Sequence, residues 1–246
     1  MSTEALIRLL DRSDNLPGAA ALRARTYELL RTGPGSRVAD VGCGTGLAVA
    51  ELASSGAEAV GVDSDPGMVA EAVSRRPGAD IREAGAEALP FADGELAGYR
   101  ADKVFHEIPD PAGALREAHR VLAPCGRIVL VGHDWASLIV ESADPELTAR
   151  IVLARAETVT SPRVARAYRN LLLDGGFTDV AVEVHTGVLT GPAMLPMVTG
   201  LVSAARAAGA VSRDEETRWT LEQSRRARAD RMFLAVPLFL AAATRS

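Results

Sequence analysis

Several features are scarce in this chain of 246 residues, and each scarcity excludes something. Only two cysteines are present, Cys43 and Cys125, so we expect no structural disulfide and a reducing cytoplasmic location. The net charge is −5, so the chain lacks the excess of lysine and arginine that is typical of nucleic-acid-binding domains. No signal-peptide pattern opens the sequence, and the apolar run at residues 232–243 is shorter than the roughly 20 residues of a membrane-spanning helix. We therefore expect neither nucleic acid nor membrane as a partner.

A strand, a glycine turn, a helix and a second strand follow one another over residues 37–68. Gly42, Gly44 and Gly46 lack the Cβ atoms that would block a ligand's approach to the backbone. The helix after the turn offers unpaired N–H groups to an anion, and Asp63 ends the second strand, where a carboxylate can accept both ribose hydroxyls. This unit predicts a nucleotide site over the carboxyl ends of parallel strands.

Three further motifs follow the glycine turn in a fixed order. The four segments are DVGCGTG at residues 40–46, EALPF at 87–91, IPDP at 108–111 and EAHRVLAPCGRIVL at 117–130. Together they resemble the class I S-adenosylmethionine-dependent methyltransferases, most closely the branch of ubiquinone/menaquinone C-methyltransferases and small-molecule methyltransferases. The resemblance implies an α/β fold with a Rossmann-like seven-stranded methyltransferase sheet, helices on both faces and a helical cap and insert. It implies S-adenosyl-L-methionine as the cofactor and no metal.

The resemblance also implies one methyltransferase domain over residues 1–246. We expect a helical cap at 1–34, a cofactor-binding core at 35–135 and a carboxyl-terminal part at 136–246, with a helical insert at about 190–231. In relatives such an insert roofs a small-molecule pocket; the alternative is that it only packs on the core. Its few polar residues favour an apolar or aromatic substrate.

Local patterns predict the boundaries of several elements. The predictions are a polar fourth strand over residues 97–104, a helix capped by Ser161 with Pro162 in its first turn, a capping box at Ser212 and a last strand over 232–242.

The resemblance assigns cofactor contacts to fourteen positions. They are Arg25, Asp40, Gly42, Cys43, Gly44, Gly46, Asp63, Ser64, Met68, Gly85, Ala86, Glu87, Arg100 and Ala101. Arg25 would reach the methionine carboxylate, unless it is a solvated surface side chain. Met68 would pack on the adenine, unless it is ordinary helix core.

The loop after the third strand departs from the family pattern. Relatives commonly have an aspartate that holds the adenine amino group where this chain has Gly85. The N–H of Ala86 can still reach the adenine, and Glu83 or Glu87 could replace the missing charge. Losing one charge-assisted hydrogen bond would weaken the affinity for the cofactor by about 10- to 100-fold.

Methyl transfer needs a base only when the acceptor must lose a proton, and histidine is tuned for that task near neutral pH. His133 and His106 both follow strands whose carboxyl ends face the predicted cofactor site. The sequence favours His133 as the base, with Asp134 as its orienting partner and His106 second. For either histidine, a structural or pocket-lining role is the alternative.

Three functions stay open from the sequence. The first is methyl transfer to O, N or C of a small molecule, in secondary metabolism, by a monomer or homodimer. The second is a methyltransferase fold that binds the cofactor but catalyses another reaction, such as cyclisation. The third, a regulatory or nicotinamide-binding protein, is disfavoured because Leu47 occupies the third glycine position of a dinucleotide fingerprint. The sequence also lacks the Asn/Asp-Pro-Pro-aromatic tetrad, which argues against nucleic-acid bases and protein glutamine as substrates.

Overall fold

A computed structural model describes residues 3–246 as helices packed around one mixed sheet. The strands are β1 Arg37–Val41, β2 Glu58–Asp63, β3 Asp80–Glu83, β4 Leu96–Asp102, β5 Leu122–His133, β6 Ile139–Val140, β7 Phe177–Leu189 and β8 Leu234–Arg245. The helices are α1 Thr3–Asp14, α2 Ala19–Leu30, α3 Leu47–Ser54, α4 Pro66–Arg75, α5 Pro111–Val121, α6 Pro145–Ala156, α7 Val164–Asp174, α8 Leu195–Ala207 and α9 Arg213–Arg228.

The sheet runs in the order β3-β2-β1-β4-β5-β8, and β7 pairs with the other side of β8. The first five strands are parallel, whereas β8 is antiparallel to both β5 and β7. The two-residue β6 also pairs with β8. The predicted seven-stranded sheet and its antiparallel edge are confirmed, with one short strand added.

The register places the functional loops at one edge. Val41 of β1 lies opposite Ala101 of β4, and Asp102 lies opposite Val131 of β5. The segments that leave these three strands therefore emerge side by side at their carboxyl ends. This is the edge where an open α/β sheet binds its ligand.

Three predicted boundaries differ from the structure. The fourth strand ends at Asp102 because Lys103 adopts a left-handed conformation (φ 62°), and a 3-10 turn follows at Phe105–Glu107. Helix α7 begins at Val164, and Ser161 does not cap it. Instead, the Ser161 hydroxyl donates to the carbonyl of Ile108 (2.8 Å). The last strand also extends beyond the predicted end, to Arg245.

The insert contributes to a second hydrophobic core beside the sheet. Helices α8 and α9 pack with α6 around Trp219, whose indole N–H donates to Thr148 (3.0 Å). The predicted capping box at Ser212 is present and starts α9. Packing of the insert against the rest of the protein therefore explains why its apolar residues are buried. That the insert also roofs a small-molecule pocket stays a prediction.

No helix within residues 3–246 combines the length and the apolar character needed to cross a bilayer.

Candidate active site

The glycine turn has the backbone that its sequence requires. Gly42, Gly44 and Gly46 have φ values of 69°, 54° and 74°, a region that residues with a side chain rarely adopt. A Cβ atom on Gly42 would lie 2.2 Å from Val104, so only glycine fits there. No side chain caps the start of α3, so its first N–H groups remain available to a ligand.

Asp63 lies against this turn at the end of β2. One oxygen of its carboxylate accepts the N–H of Gly44 (2.9 Å), and the other accepts the N–H of Asp65 (3.0 Å). Exposed Ser64 follows, and the Asp65 side chain caps α4 by accepting the N–H of Gly67 (2.7 Å). A carboxylate held beside bare backbone amides fits the ribose and methionine ends of the predicted cofactor.

Changing Asp63 to alanine is expected to weaken S-adenosylmethionine binding at least about tenfold, the loss that accompanies one charge-assisted hydrogen bond. Calorimetry would measure the affinity, and thermal unfolding would check that the variant is folded. Asp93→Ala, at an exposed acid paired with Arg120, serves as the matched control and should bind as the wild type does. Unchanged affinity in Asp63→Ala would remove this acid from the ribose site.

The loop after β3 places an acid next to Gly85, the position where relatives commonly have an aspartate. A Cβ atom on Gly85 would lie 3.3 Å from a carboxylate oxygen of Glu87, so that acid reaches over the glycine. Ala86 is buried beside it, and the N–H of Ala84 donates to the carbonyl of Asp63 (3.0 Å). The two parts of the predicted nucleoside site are thus joined through the backbone. The compensating role of Glu87 stays a prediction.

The remaining predicted nucleoside contacts are placed in the protein interior. Cys43 is buried in the turn, where burial raises the pKa of its thiol. Met68 of α4 is fully buried as helix core, one of the two roles that the sequence left open. Ala101 is fully buried within β4. Their contacts with a nucleoside stay predictions.

Arg100 binds protein groups in this structure, which corrects its expected place beside the cofactor. Its buried guanidinium donates to Asp40 (2.6 Å), to Asp102 (2.7 Å) and to the Thr26 hydroxyl (2.8 Å). Asp40 is therefore engaged by the same arginine rather than by solvent or ligand. Burial alone would raise the pKa of Asp102, but the charges of Lys103 and Arg100 lower it to about 2. This ion network connects α2, β1 and β4 beneath the glycine turn.

Arg25 also has protein partners. Its Nε donates to Glu183 of β7 (3.1 Å), and its Nη1 donates to Glu28 (2.8 Å). The side chain ties α2 to the edge strand, which lies four positions from β1 in the sheet. The predicted contact with the methionine carboxylate is not supported; the alternative of a surface arginine describes Arg25 better.

The two predicted catalytic histidines do come together. The ring centres of His106 and His133 are 5.3 Å apart, and Trp135 lies 4.2 Å from the His133 ring and 5.7 Å from the His106 ring. Arg155 of α6 lies over the Trp135 ring, with its guanidinium carbon 4.2 Å from the ring centre. We call these four residues the histidine cluster. Its two histidines lie at or just after the carboxyl ends of β4 and β5, and Val104, two residues before His106, lies against Gly42 of the glycine turn.

The prediction that Asp134 orients His133 is wrong. Asp134 is fully buried, accepts the N–H of Ala136 (2.9 Å) and pairs with Arg166 of α7. Within the described part of the chain, no hydrogen bond joins it to His133. Glu107 takes that position for the other histidine, since its Oε1 lies 3.2 Å from Nε2 of His106.

The surroundings of the two histidines affect their pKa values differently. Burial, together with the nearby charges of His106 and Lys103, lowers the pKa of His133 to about 3. Burial also lowers the pKa of His106, but the Glu107 carboxylate opposes that shift. Both rings are therefore neutral at pH 7. A base with a pKa of about 3 is weak near neutral pH, so His106 is better suited than His133 to accept a proton.

Two polar atoms of the cluster are buried without a hydrogen-bond partner among the described residues. They are Nδ1 of His106 and Nε1 of Trp135. Because Glu107 faces Nε2, it favours the tautomer with the proton on that nitrogen, which leaves Nδ1 as an acceptor. The indole Nε1–H is a donor. A buried polar atom without a hydrogen-bond partner destabilises the folded protein, and a ligand that binds to the atom removes this cost. Such atoms are therefore typical of a ligand site.

Sequence reasoning missed several residues that build this cluster. Glu107, Trp135 and Arg155 lack a local signal, because their neighbours are set by tertiary contacts. Ser161 does not cap a helix: its N–H donates to the carbonyl of His106 (2.8 Å), and the next residue, Pro162, accepts the N–H of Trp135 (3.0 Å). One loop thereby holds both aromatic segments in place.

Within residues 3–246 no group of three or more His, Cys, Asp or Glu side chains is arranged to hold a metal ion.

Comparisons with known proteins agree with this geometry. The sequence profile of a family described as a methyltransferase domain matches residues 39–130. An uncharacterised methyltransferase of Synechocystis is 33% identical over 178 residues, which cover 70% of this chain and 81% of that protein. The demethylmenaquinone methyltransferase of Beutenbergia cavernae is 37% identical over 108 residues, covering 44% of this chain and 45% of that enzyme.

An uncharacterised protein from a Streptomyces fradiae transposon is 31% identical over 202 residues, or 79% of this chain and 59% of that protein. This chain thus spans about half the length of some curated relatives that it matches. Among solved structures, YcgJ of Bacillus subtilis superposes with a TM-score of 0.63 at 18% identity, covering 91% of this chain and 97% of that one. The [4+2]-cyclase SpnF superposes with a TM-score of 0.58 at 18% identity, covering 92% and 80% respectively.

The glycine turn, the acid at the end of β2 and these similarities lead to one assignment. The chain belongs to the class I S-adenosylmethionine-dependent methyltransferases, on the branch that resembles the menaquinone enzymes. S-adenosylmethionine is the cofactor of that family, as the motifs predicted.

Proposed function

We propose that this chain transfers a methyl group from S-adenosylmethionine to a small molecule whose acceptor atom loses a proton. The pairing of Glu107 with His106, which leaves Nδ1 of the buried ring as an unoccupied acceptor, is the observation that carries the proposal. The relatives named demethylmenaquinone methyltransferase support an acceptor of the small-molecule class. Secondary metabolism and a single domain over residues 1–246 belong to the same proposal.

In this mechanism the glycine turn and Asp63 hold the cofactor, and Glu87 lies at the adenine loop. The bound cofactor supplies an electrophilic methyl group on a sulfonium, so the protein mainly positions the acceptor and excludes water. His106 takes the acceptor's proton on Nδ1. Glu107, beside Nε2, stabilises the positive charge that the ring then carries. His133, which is neutral and a weak base, forms part of the wall around the acceptor.

A direct test uses cofactor labelled in its methyl group. The protein is incubated with this cofactor and a panel of phenols, enols and amines, and the products are analysed for the label. Transfer of label to an acceptor that carries an ionisable proton is the expected result. Calorimetric binding of NAD but not of S-adenosylmethionine would overturn the proposal.

A second candidate is a reaction without methyl transfer, such as cyclisation. The shared fold with the [4+2]-cyclase SpnF supports it, and so does the absence of the usual acid at Gly85. The same experiment separates the two candidates, because a product formed without label would favour cyclisation.

A further inference from the structure

Arg155 is a cation at the edge of the histidine cluster with no acidic partner of its own. Its guanidinium stacks on Trp135 and donates to the Thr158 hydroxyl (2.7 Å). Within the described residues, no carboxylate oxygen lies within 4.0 Å of it. Glu107 is the acid whose charge acts on Arg155, but that carboxylate faces His106.

The neighbouring cations differ from Arg155 in this respect. Lys103 pairs with Asp102, and Arg166 pairs with Asp134. Arg155 is partly buried, and this burial lowers its pKa because the charge loses hydration without gaining an ion pair. An anionic ligand would restore the lost interaction through charge-assisted hydrogen bonds.

Arg155 does not stand alone as evidence for a ligand. The cluster also contains the unpartnered acceptor Nδ1 of His106, a buried atom in a residue that is 9% exposed, and the unpartnered donor Nε1 of Trp135. The Trp135 ring centre lies 5.7 Å from the His106 ring and 4.2 Å from the Arg155 guanidinium carbon. A cation, a donor and an acceptor are thus grouped around one aromatic side chain.

We propose that the methyl acceptor is a hydroxy acid, in which a carboxylate binds Arg155 and a hydroxyl donates to Nδ1 of His106. The proposal rests on the proposed methyl transfer and specifies its substrate class. In the reaction the hydroxyl proton passes to Nδ1, and an oxygen electron pair forms the new bond to the methyl carbon. The bond from that carbon to sulfur breaks, with its electron pair staying on sulfur as a neutral thioether. Trp135 Nε1–H donates to an oxygen of the same acceptor.

Binding of matched ligand pairs tests this assignment without requiring turnover. The probes are hydroxyaromatic acids whose hydroxyl and carboxylate lie at opposite ends of the ring, such as 4-hydroxybenzoate, each compared with its neutral carboxamide by titration of tryptophan fluorescence in the presence of S-adenosylhomocysteine. We expect the acid to bind at least about tenfold more tightly than its amide. Arg155→Gln should abolish this preference, and Arg155→Lys should retain part of it because the charge persists.

Arg150→Gln is the matched control, since Arg150 lies on the same helix, is half exposed and pairs with Glu215. It should leave the preference intact. The inference is overturned if no acid in the panel binds more tightly than its amide, or if the preference survives Arg155→Gln. Its failure is distinct from failure of methyl transfer: labelled product from neutral phenols, unaffected by Arg155→Gln, would reject the hydroxy acid alone. Acid-selective binding with no labelled product from any acceptor would reject the methyl transfer instead.

Discussion

Replacing Arg100 with methionine is expected to lower the free energy of unfolding by about 3–5 kcal/mol, the usual cost of breaking a buried ion pair. The variant would leave Asp40 and Asp102 buried without the guanidinium that both contact. Urea denaturation followed by circular dichroism would measure the change. The exposed pair of Arg116 and Asp110 provides a control, because Arg116→Met should alter stability by no more than about 0.5 kcal/mol.

The pH dependence of the stability of this variant provides a second, independent test. Burial raises the pKa of Asp40, and without Arg100 nothing in the described network would oppose that shift as strongly. A group whose pKa is higher in the folded state contributes stability at low pH and loses it as pH rises through that pKa. The stability deficit of Arg100→Met should therefore shrink as the pH is lowered. An equal loss at all pH values would show that packing, rather than charge, is responsible.

Changing His106 to glutamine is expected to lower kcat by about 10²–10⁴-fold, the range that a general base contributes. The affinity for S-adenosylmethionine should not change, because the glycine turn and Asp63 form a separate part of the site. Steady-state kinetics with an acceptor from the labelled-methyl panel would measure kcat, and calorimetry would measure the affinity.

His133→Gln is the matched control, and we expect its effect on kcat to be less than about tenfold, because a base with a pKa of about 3 contributes little. The pH profile adds a test of the role of His106. Since burial holds the pKa of His106 below its usual value, kcat/KM should stay level from neutral pH until the pH falls below the ordinary histidine range. Wild-type turnover in His106→Gln, or a larger loss in His133→Gln, would contradict the assignment.

The glycine turn and its contact with Asp63 could be predicted from the sequence because their signals are local. Three glycines with positive φ and an acid at the end of the next strand lie within residues 42–63, and the structure brings them into contact. The seven strands of the sheet likewise follow from the motifs that carry the family resemblance. Such features depend on backbone conformation and chain order, which short segments encode.

The acceptor half was only partly readable, because side chains there choose partners through register and tertiary packing. Arg100 meets Asp40 because the register of β1 and β4 places them opposite each other. Asp134 directly follows His133 in the chain, yet it pairs with Arg166 of α7. Ser161 fits a local helix-capping pattern, but its hydroxyl donates to the carbonyl of Ile108 instead of capping α7. The sequence shows which side chains could form such pairs, but not which of the possible pairs form in the folded protein.

The contact between α1 and the glycine turn has a kinetic consequence. The Leu10 side chain lies against Gly44, where a Cβ atom would be only 3.1 Å from its methyl carbon, and the Thr3 hydroxyl donates to Asp65 at the start of α4 (3.2 Å). If α1 had to move before a nucleoside could bind, the observed affinity would fall by the fraction of molecules in which this helix is displaced. Weakening the contact, for example by Leu10→Ala, would then raise the association rate without any change in the amides themselves.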